Sequence, residues 1–297
     1  MILRKGIGLI NSLKQQQDAI MINSGICYAA QENIPEVSFR KIKFTPQFQE
    51  GAILAKSDWC SLSDKDLHIL KPGNKITDYN TIFLGDLPDS LIKRFKKLPL
   101  HESETVDDIY AIFRKHEVLA KKLNNDLNIF LNTIADNKPY KFRCFGVSFP
   151  NLLSVSAKFY HLPKNHAPTD VQYIGFHNDC TTAMSIHTAH RYGNRISINF
   201  GREEREFLFV NLSLIQAYNM IKAKNPESLP DVNLVTIPQI FFKLFPNYPI
   251  LKVKLKPYQY YIAPTDNCFH DGRTLGNKTF DMTMIFFGGF CKKLTLQ

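Results

Sequence analysis

From about residue 140 onward the apolar residues recur with a period of two, and that pattern restricts the fold more than any other feature of the chain. Leu153, Val155, Ala157 and Phe159 alternate with Ser154, Ser156, Lys158 and Tyr160. Ile196, Ile198 and Phe200 alternate with Arg195, Ser197 and Asn199, and Leu251, Val253 and Leu255 with Lys252 and Lys254. Phe280, Met282, Met284 and Phe286 alternate with Asp281, Thr283 and Ile285. Successive side chains of a strand point to opposite faces, so each run predicts an antiparallel strand with one buried and one solvated face. Turn signals separate the runs: Tyr192–Gly193–Asn194, Gly201–Arg202–Glu203, Lys256–Pro257 and Gly276–Asn277. Many short strands in series predict a β-sandwich or barrel. A helical insertion at about 211–247 interrupts them, with a helix over Leu212–Lys224 capped by Asn211 and a shorter one near Pro238–Leu244.

Before residue 140 the texture differs. Ile109, Ile112, Phe113, Leu119, Leu123, Leu127, Phe130, Leu131 and Ile134 form one apolar stripe at helical spacing. This predicts a helix over 106–135, started by Ser103 or Thr105 and stopped at Asn137–Lys138–Pro139. Residues 1–100 read as short strands with a helix near Asp89–Lys97. The expectation is an α+β chain in which a mixed region, 1–140, packs on a β core, 141–297, most simply as one integrated domain.

Twenty-three Phe and 12 Tyr among 297 residues supply ample apolar surface, which excludes a disordered chain. The longest apolar stretch, around Met284–Cys291, is too short for a membrane-spanning helix. The opening MILRKGIGLI carries Arg4 and Lys5 and no small-residue cleavage site, so a cytoplasmic protein is expected. Its basic, acid-free character before Asp18 leaves organelle targeting as the alternative. The six cysteines are scattered, without CxxC spacing, and most of them read as buried small hydrophobes in a reducing compartment. The formal charge of +10 raises a nucleic-acid partner, but its densest cluster, Lys93–Arg94–Lys96–Lys97, reads equally well as a solvated surface. No GxSxG elbow, phosphate-binding GxxxxGK[ST] loop, GxGxxG fingerprint or HExxH helix occurs.

The chemistry concentrates at His177-Asn178-Asp179, within YIGFHNDCTT. On a strand an imidazole and a carboxylate two residues apart share a face, and with a distant His they make a facial triad for a metal. Downstream, LKVKLKPYQYYIAPTDNCFHDG reads as strand, turn, strand and then His270. On these residues, over roughly 150–290, the sequence resembles the iron(II)/2-oxoglutarate-dependent oxygenases of the double-stranded β-helix, or jelly-roll, fold. The resemblance implies that His177, Asp179 and His270 hold Fe(II), with 2-oxoglutarate as cosubstrate and O₂ as oxidant.

The superfamily often places an anchoring Arg for 2-oxoglutarate past the distal His, in an R-x-S arrangement. Here the corresponding stretch is Asp281-Met282-Thr283. Arg195 and Arg273, then Arg191, are the candidate replacements, with Thr283 beside them. Lys158, Tyr160, Thr182 and His187 are candidates for the substrate or cosubstrate pocket, each set against a plainer role as strand or surface residue. The spacing from Asp179 to His270 is long; the insertion accounts for it and would lie over the barrel mouth as a lid or substrate wall. The expected activity is hydroxylation or desaturation of a small molecule, an amino acid derivative or natural-product intermediate. The alternatives are a protein or nucleic-acid hydroxylase or demethylase of the same superfamily, and a cupin-like barrel that binds without turnover, which Asp281 motivates.

Overall fold

In the computed structural model, which describes residues 2–14, 19–103, 105–158, 162–163, 166–180 and 183–291, the alternating runs become two packed sheets. The larger has six strands in the order Gly8–Asn11, Thr81–Asp86, Gln259–Ala263, Asn194–Asn199, Asp281–Gly288 and Tyr140–Ser148. Only its first two strands are parallel. The second has five, in the order His270–Arg273, Arg205–Phe209, Leu251–Leu255, Ile20–Ile22 and Cys60–Ser61. Beyond its edge His177 pairs antiparallel with His270. A four-stranded sheet (Ala157–Lys158, Gln172–Gly175, Gln47–Ala55, Ile26–Tyr28) and a hairpin, Val37–Phe39 with Ile42–Phe44, complete an α+β chain of 28% helix and 30% strand. Strands from the first hundred residues thus continue both large sheets by backbone hydrogen bonds to strands after residue 250.

The alternation has a different cause from the one expected. Ile196, Ile198, Ile262, Met282 and Met284 pack under the helices Asp89–Phe95 and Glu117–Ile134, against Leu91, Leu123, Leu127 and Leu131. The intervening Ser197, Tyr261 and Thr283 do not face solvent. They point at the five-stranded sheet, where Phe207 stacks on Tyr261 with ring centroids 3.9 Å apart. Ser197 and Thr283 are accordingly 2% and 6% exposed. The four inner strands of the six-stranded sheet are covered on both faces, and their polar parity lines a cavity.

Three local expectations change. Among the described residues of the run that begins at Leu153, only Ala157–Lys158 is a strand, because residues 151–155 bond to the ends of another segment, through Asn151 N to Thr274 O and Val155 N to Gly272 O. The helix predicted over 106–135 is two, Val106–Lys115 and Glu117–Ile134, broken at His116 with φ −108° and ψ 38°. Thr105 starts the first, in a capping box with Asp108. Four cysteines, Cys27, Cys60, Cys144 and Cys180, are exposed rather than buried; all six are free.

The insertion is a buttress, not a lid. Its helices Leu214–Lys224, capped by Ser213, and Ile237–Leu244 carry fully buried Phe241 and Phe242. Phe242 meets Phe176 at 5.8 Å and Phe269 at 5.7 Å, ring centre to ring centre. Phe176 and Phe269 are the neighbours of His177 and His270, so the insertion fixes the two histidines from behind. Phe242→Ala is expected to cost about 3–5 kcal/mol, the range for emptying a buried aromatic site, measured by urea unfolding. Among the described residues no helix is long and apolar enough to cross a membrane.

Candidate metal centre

Backbone pairing assembles the centre. His177 N donates to His270 O at 3.2 Å and His270 N donates to His177 O at 2.8 Å, so the two residues sit directly opposite one another. Their rings are 4.5 Å apart. Just before His177, Gly175 has φ +70°, and a Cβ there would lie 2.1 Å from Ile53 O. Only glycine fits, and the register shift between Tyr173 and Gly175 marks a bulge that re-aims the chain into His177. Asp179 is tied by its own N–H to Thr265 O at 3.0 Å.

Candidate ligand atoms of His177, Asp179 and His270 all lie within 4.8 Å of one another. His177 Nε2 is 3.8 Å from one Asp179 oxygen and His270 Nε2 is 3.6 Å from the other. Each imidazole turns Nδ1 to the carbonyl two residues earlier, His177 to Gly175 O at 3.1 Å and His270 to Cys268 O at 3.3 Å. Donation from Nδ1 fixes the tautomer that leaves Nε2 free to ligate, the usual support for a metal-binding histidine.

Arg195 is committed to the acids of this centre. Its Nη1 lies 2.5 Å from Asp179 Oδ2 and 3.1 Å from Asp266 Oδ2, and it also donates to Thr265 Oγ1. Burial alone would raise the Asp179 carboxyl, but the hydrogen bond from His177, then His270 and Arg195, hold it well below the ordinary range. Burial and the neighbouring His177 push His270 down to about 3. Burial acts the same way on His177, yet the bond and charge of Asp179, with Asp271, outweigh it and raise that imidazole. Near neutrality the pair therefore carries at most one proton beyond the two on Nδ1, on His177, and a metal must displace only that one.

A cavity of about 230 Å³ opens between the sheets, lined by the triad and by Ser197, Arg205, Tyr261 and Thr283. Arg205, which the sequence reading passed over, is among the described residues the cation of this space with a buried, unbonded donor. It starts the strand Arg205–Phe209 and shares the inward parity of Phe207. Its Nη2 is 3.8 Å from Asp281 Oδ2, beyond hydrogen-bonding distance. Its Nε and both Asp281 oxygens are buried without a hydrogen-bond partner. A Cβ at Gly272 would lie 2.9 Å from that Nη2, so the glycine makes the room the guanidinium occupies. Burial raises the Asp281 carboxyl against the pull of Arg205, which weakens it as a counter-charge.

The other candidates fall elsewhere. Arg273 points to the outer face of its sheet, bonded through Nε to Glu206 at 2.5 Å and over the Trp59 ring at 5.5 Å. The cause is parity: Arg273 is the register partner of Glu206, which alternates with inward Phe207. Arg191 is exposed in the short turn Ala189–Arg191, Lys158 is exposed, and exposed His187 packs edge-on against Tyr218 at 5.2 Å. Thr283 lines the cavity. Tyr160 and Thr182 lie outside the described residues. Compared with models of protein families, with curated proteins and with solved structures, the chain matches none.

Proposed function

We propose that the chain is an Fe(II)- and 2-oxoglutarate-dependent oxygenase that oxidises a small molecule. The observation that carries this reading is the convergence of two Nε2 atoms and one carboxylate, with both Nδ1 atoms held by backbone carbonyls. Two imidazoles and a carboxylate with the remaining positions open suit non-haem Fe(II).

Strand order supports the fold that goes with it. Count eight segments from Tyr140–Ser148 through His177, Asn194–Asn199, Arg205–Phe209, Leu251–Leu255, Gln259–Ala263, His270–Arg273 and Asp281–Gly288. The first lies beside the eighth, the eighth beside the third and the third beside the sixth. Opposite them, the second lies beside the seventh, the seventh beside the fourth and the fourth beside the fifth. All these pairs are antiparallel, the neighbour order of a jelly roll.

When bound, Fe(II) with 2-oxoglutarate and O₂ supplies an oxidant strong enough to break a C–H bond, with succinate and CO₂ as co-products. The protein's share is positioning. His177, Asp179 and His270 would hold the metal, and Arg195 would keep Asp179 ionised and oriented. Arg205 would pair with the far carboxylate of 2-oxoglutarate, taking the part that Asp281 cannot play. Ser197, Tyr261 and Thr283 wall the space between. At about 230 Å³ the cavity is smaller than the ~300–1,000 Å³ of drug-sized sites, room for a dicarboxylic acid and the reacting end of a substrate. The non-catalytic reading rested on a missing cation, and Arg205 supplies one.

Anaerobic addition of Fe(II) and then 2-oxoglutarate should give a weak visible charge-transfer band, and air should release succinate. A folded preparation that binds no Fe(II) would refute the proposal; Fe(II) binding without succinate would leave the binding-protein reading standing.

A further inference from the structure

Two basic segments distant in sequence meet at one groove. The helix Asp89–Phe95 and the residues after it bring Arg94 and Lys97, while the elbow between Val106–Lys115 and Glu117–Ile134 brings Arg114, Lys115 and Lys122. The groove measures about 670 Å³, and Glu117 is the only acid among the described residues that line it. Glu117 is paired with Lys121 at 2.6 Å, and Arg94 with Asp126. Lys97, Arg114, Lys115 and Lys122 are exposed and make no ion pair among the described residues.

We infer that this groove docks the phosphodiester backbone of a duplex nucleic acid. Four exposed cations without ion-pair partners among the described residues, contributed by separate segments to a groove of this volume, match a row of phosphates rather than one anion. Among the described residues that line the groove there is no Phe, Tyr or Trp, and His116 is its single ring, so it lacks the succession of stacking platforms that a single strand requires. An anionic membrane is a poorer fit, since among the described residues that line the groove Val118 is the one strongly exposed apolar side chain, too small for the apolar face that inserts between headgroups. The inference does not depend on the metal centre: the helix Glu117–Ile134 packs on Ile196, Ile198 and Met284, the face of the sheet opposite the cavity. The groove is a docking site, not a second entrance to the triad.

The test is fluorescence anisotropy of labelled 20-base-pair RNA and DNA duplexes with metal-free protein, between 50 and 200 mM salt. The wild-type chain should bind at least one of them with a steep salt slope. Changing Lys97, Arg114, Lys115 and Lys122 together to Glu should weaken binding more than tenfold. At about 0.9 per phosphate neutralised, it should also flatten the log–log slope by roughly three units. The same four positions changed to Gln give a milder variant that keeps the result readable if the Glu variant fails to fold. Lys65→Glu and Lys224→Glu, on other helices, should change little. Unaltered duplex binding by the folded groove variants would overturn the inference. So would an absence of duplex binding, including a preference for phosphatidylserine vesicles or a phosphopeptide. None of these outcomes bears on whether the triad takes Fe(II).

Discussion

Asp179→Ala is expected to lower Fe(II) affinity by about a hundredfold or more, and His177→Ala and His270→Ala to do the same. Losing a supporting residue around a metal typically costs 10–100-fold, and losing a ligand outright costs at least that. Arg195→Gln should fall in the 10–100-fold range, because it removes the 2.5 Å bond that orients and ionises Asp179 without removing a ligand atom. His187→Ala should have no effect, since its ring packs on Tyr218 rather than on the triad. The readout is anaerobic calorimetric titration with Fe(II), or Co(II) as a stable substitute. Acid should weaken binding in the wild type and in every folded variant that retains both His177 and Asp179. Its raised imidazole carries a proton that the metal must displace, so affinity should drop about tenfold per pH unit below that group's pKa and level off above it. His270, pushed down to about 3, is already neutral and adds no second step near neutrality. Full Fe(II) affinity in Asp179→Ala would remove the centre altogether. Unchanged metal affinity with lost 2-oxoglutarate binding in Arg195→Gln would return the anchor to Arg195.

The residues that carry this centre were legible because short-range rules generate them. Two residues apart on an extended chain is one face, and His177 and Asp179 do share one even though the regular strand stops at Gly175. His270 followed from its place after a strand–turn–strand. Arg205 was hidden for a physical reason. Its strand reads Arg-Glu-Phe-Leu-Phe, and Leu208 is as buried as Phe207, at 1% exposure, because both faces of that sheet are covered. A strand buried on both sides loses its alternation, and with it the sign that Arg205 shares the parity of Phe207 and Phe209. Arg273 misled for the complementary reason, since adjacency to His270 in sequence means the parity of Glu206 in space. The break at His116 involves no Gly or Pro, so nothing in the helical stripe announces it. The side on which the insertion packs was set by Phe176 and Phe269, whose facing aromatic partners are known only once the sheets are formed.

Arg205→Met is expected to weaken 2-oxoglutarate binding by roughly thirtyfold or more while leaving Fe(II) affinity within a few-fold of the wild type. Truncating one partner of a buried, hydrogen-bonded charge pair costs about 2–5 kcal/mol, and thirtyfold is the lower end of that range. In the free protein the guanidinium lacks such a pair. Asp281 sits 3.8 Å away with its carboxyl raised by burial, so a ligand carboxylate meets a cation whose Nε is still unbonded. The variant should also lose stability in a pH-dependent way. Asp281 already has a folded-state pKa above the ordinary value, and a raised carboxyl costs stability as pH climbs through and above the unfolded pKa. Removing the cation raises it further, so the destabilisation of Arg205→Met should be small near pH 4 and larger near pH 8. The double variant Arg205→Met/Asp281→Asn removes the stranded charge, and should recover that stability without recovering 2-oxoglutarate. Asp281→Asn alone should bind 2-oxoglutarate at least as tightly as the wild type, because it deletes the one acid that competes for Arg205. Denaturation at the two pH values and anaerobic titration of the Fe(II)-loaded variants read both effects. Wild-type 2-oxoglutarate affinity in Arg205→Met would strip the residue of its role while leaving the triad in place.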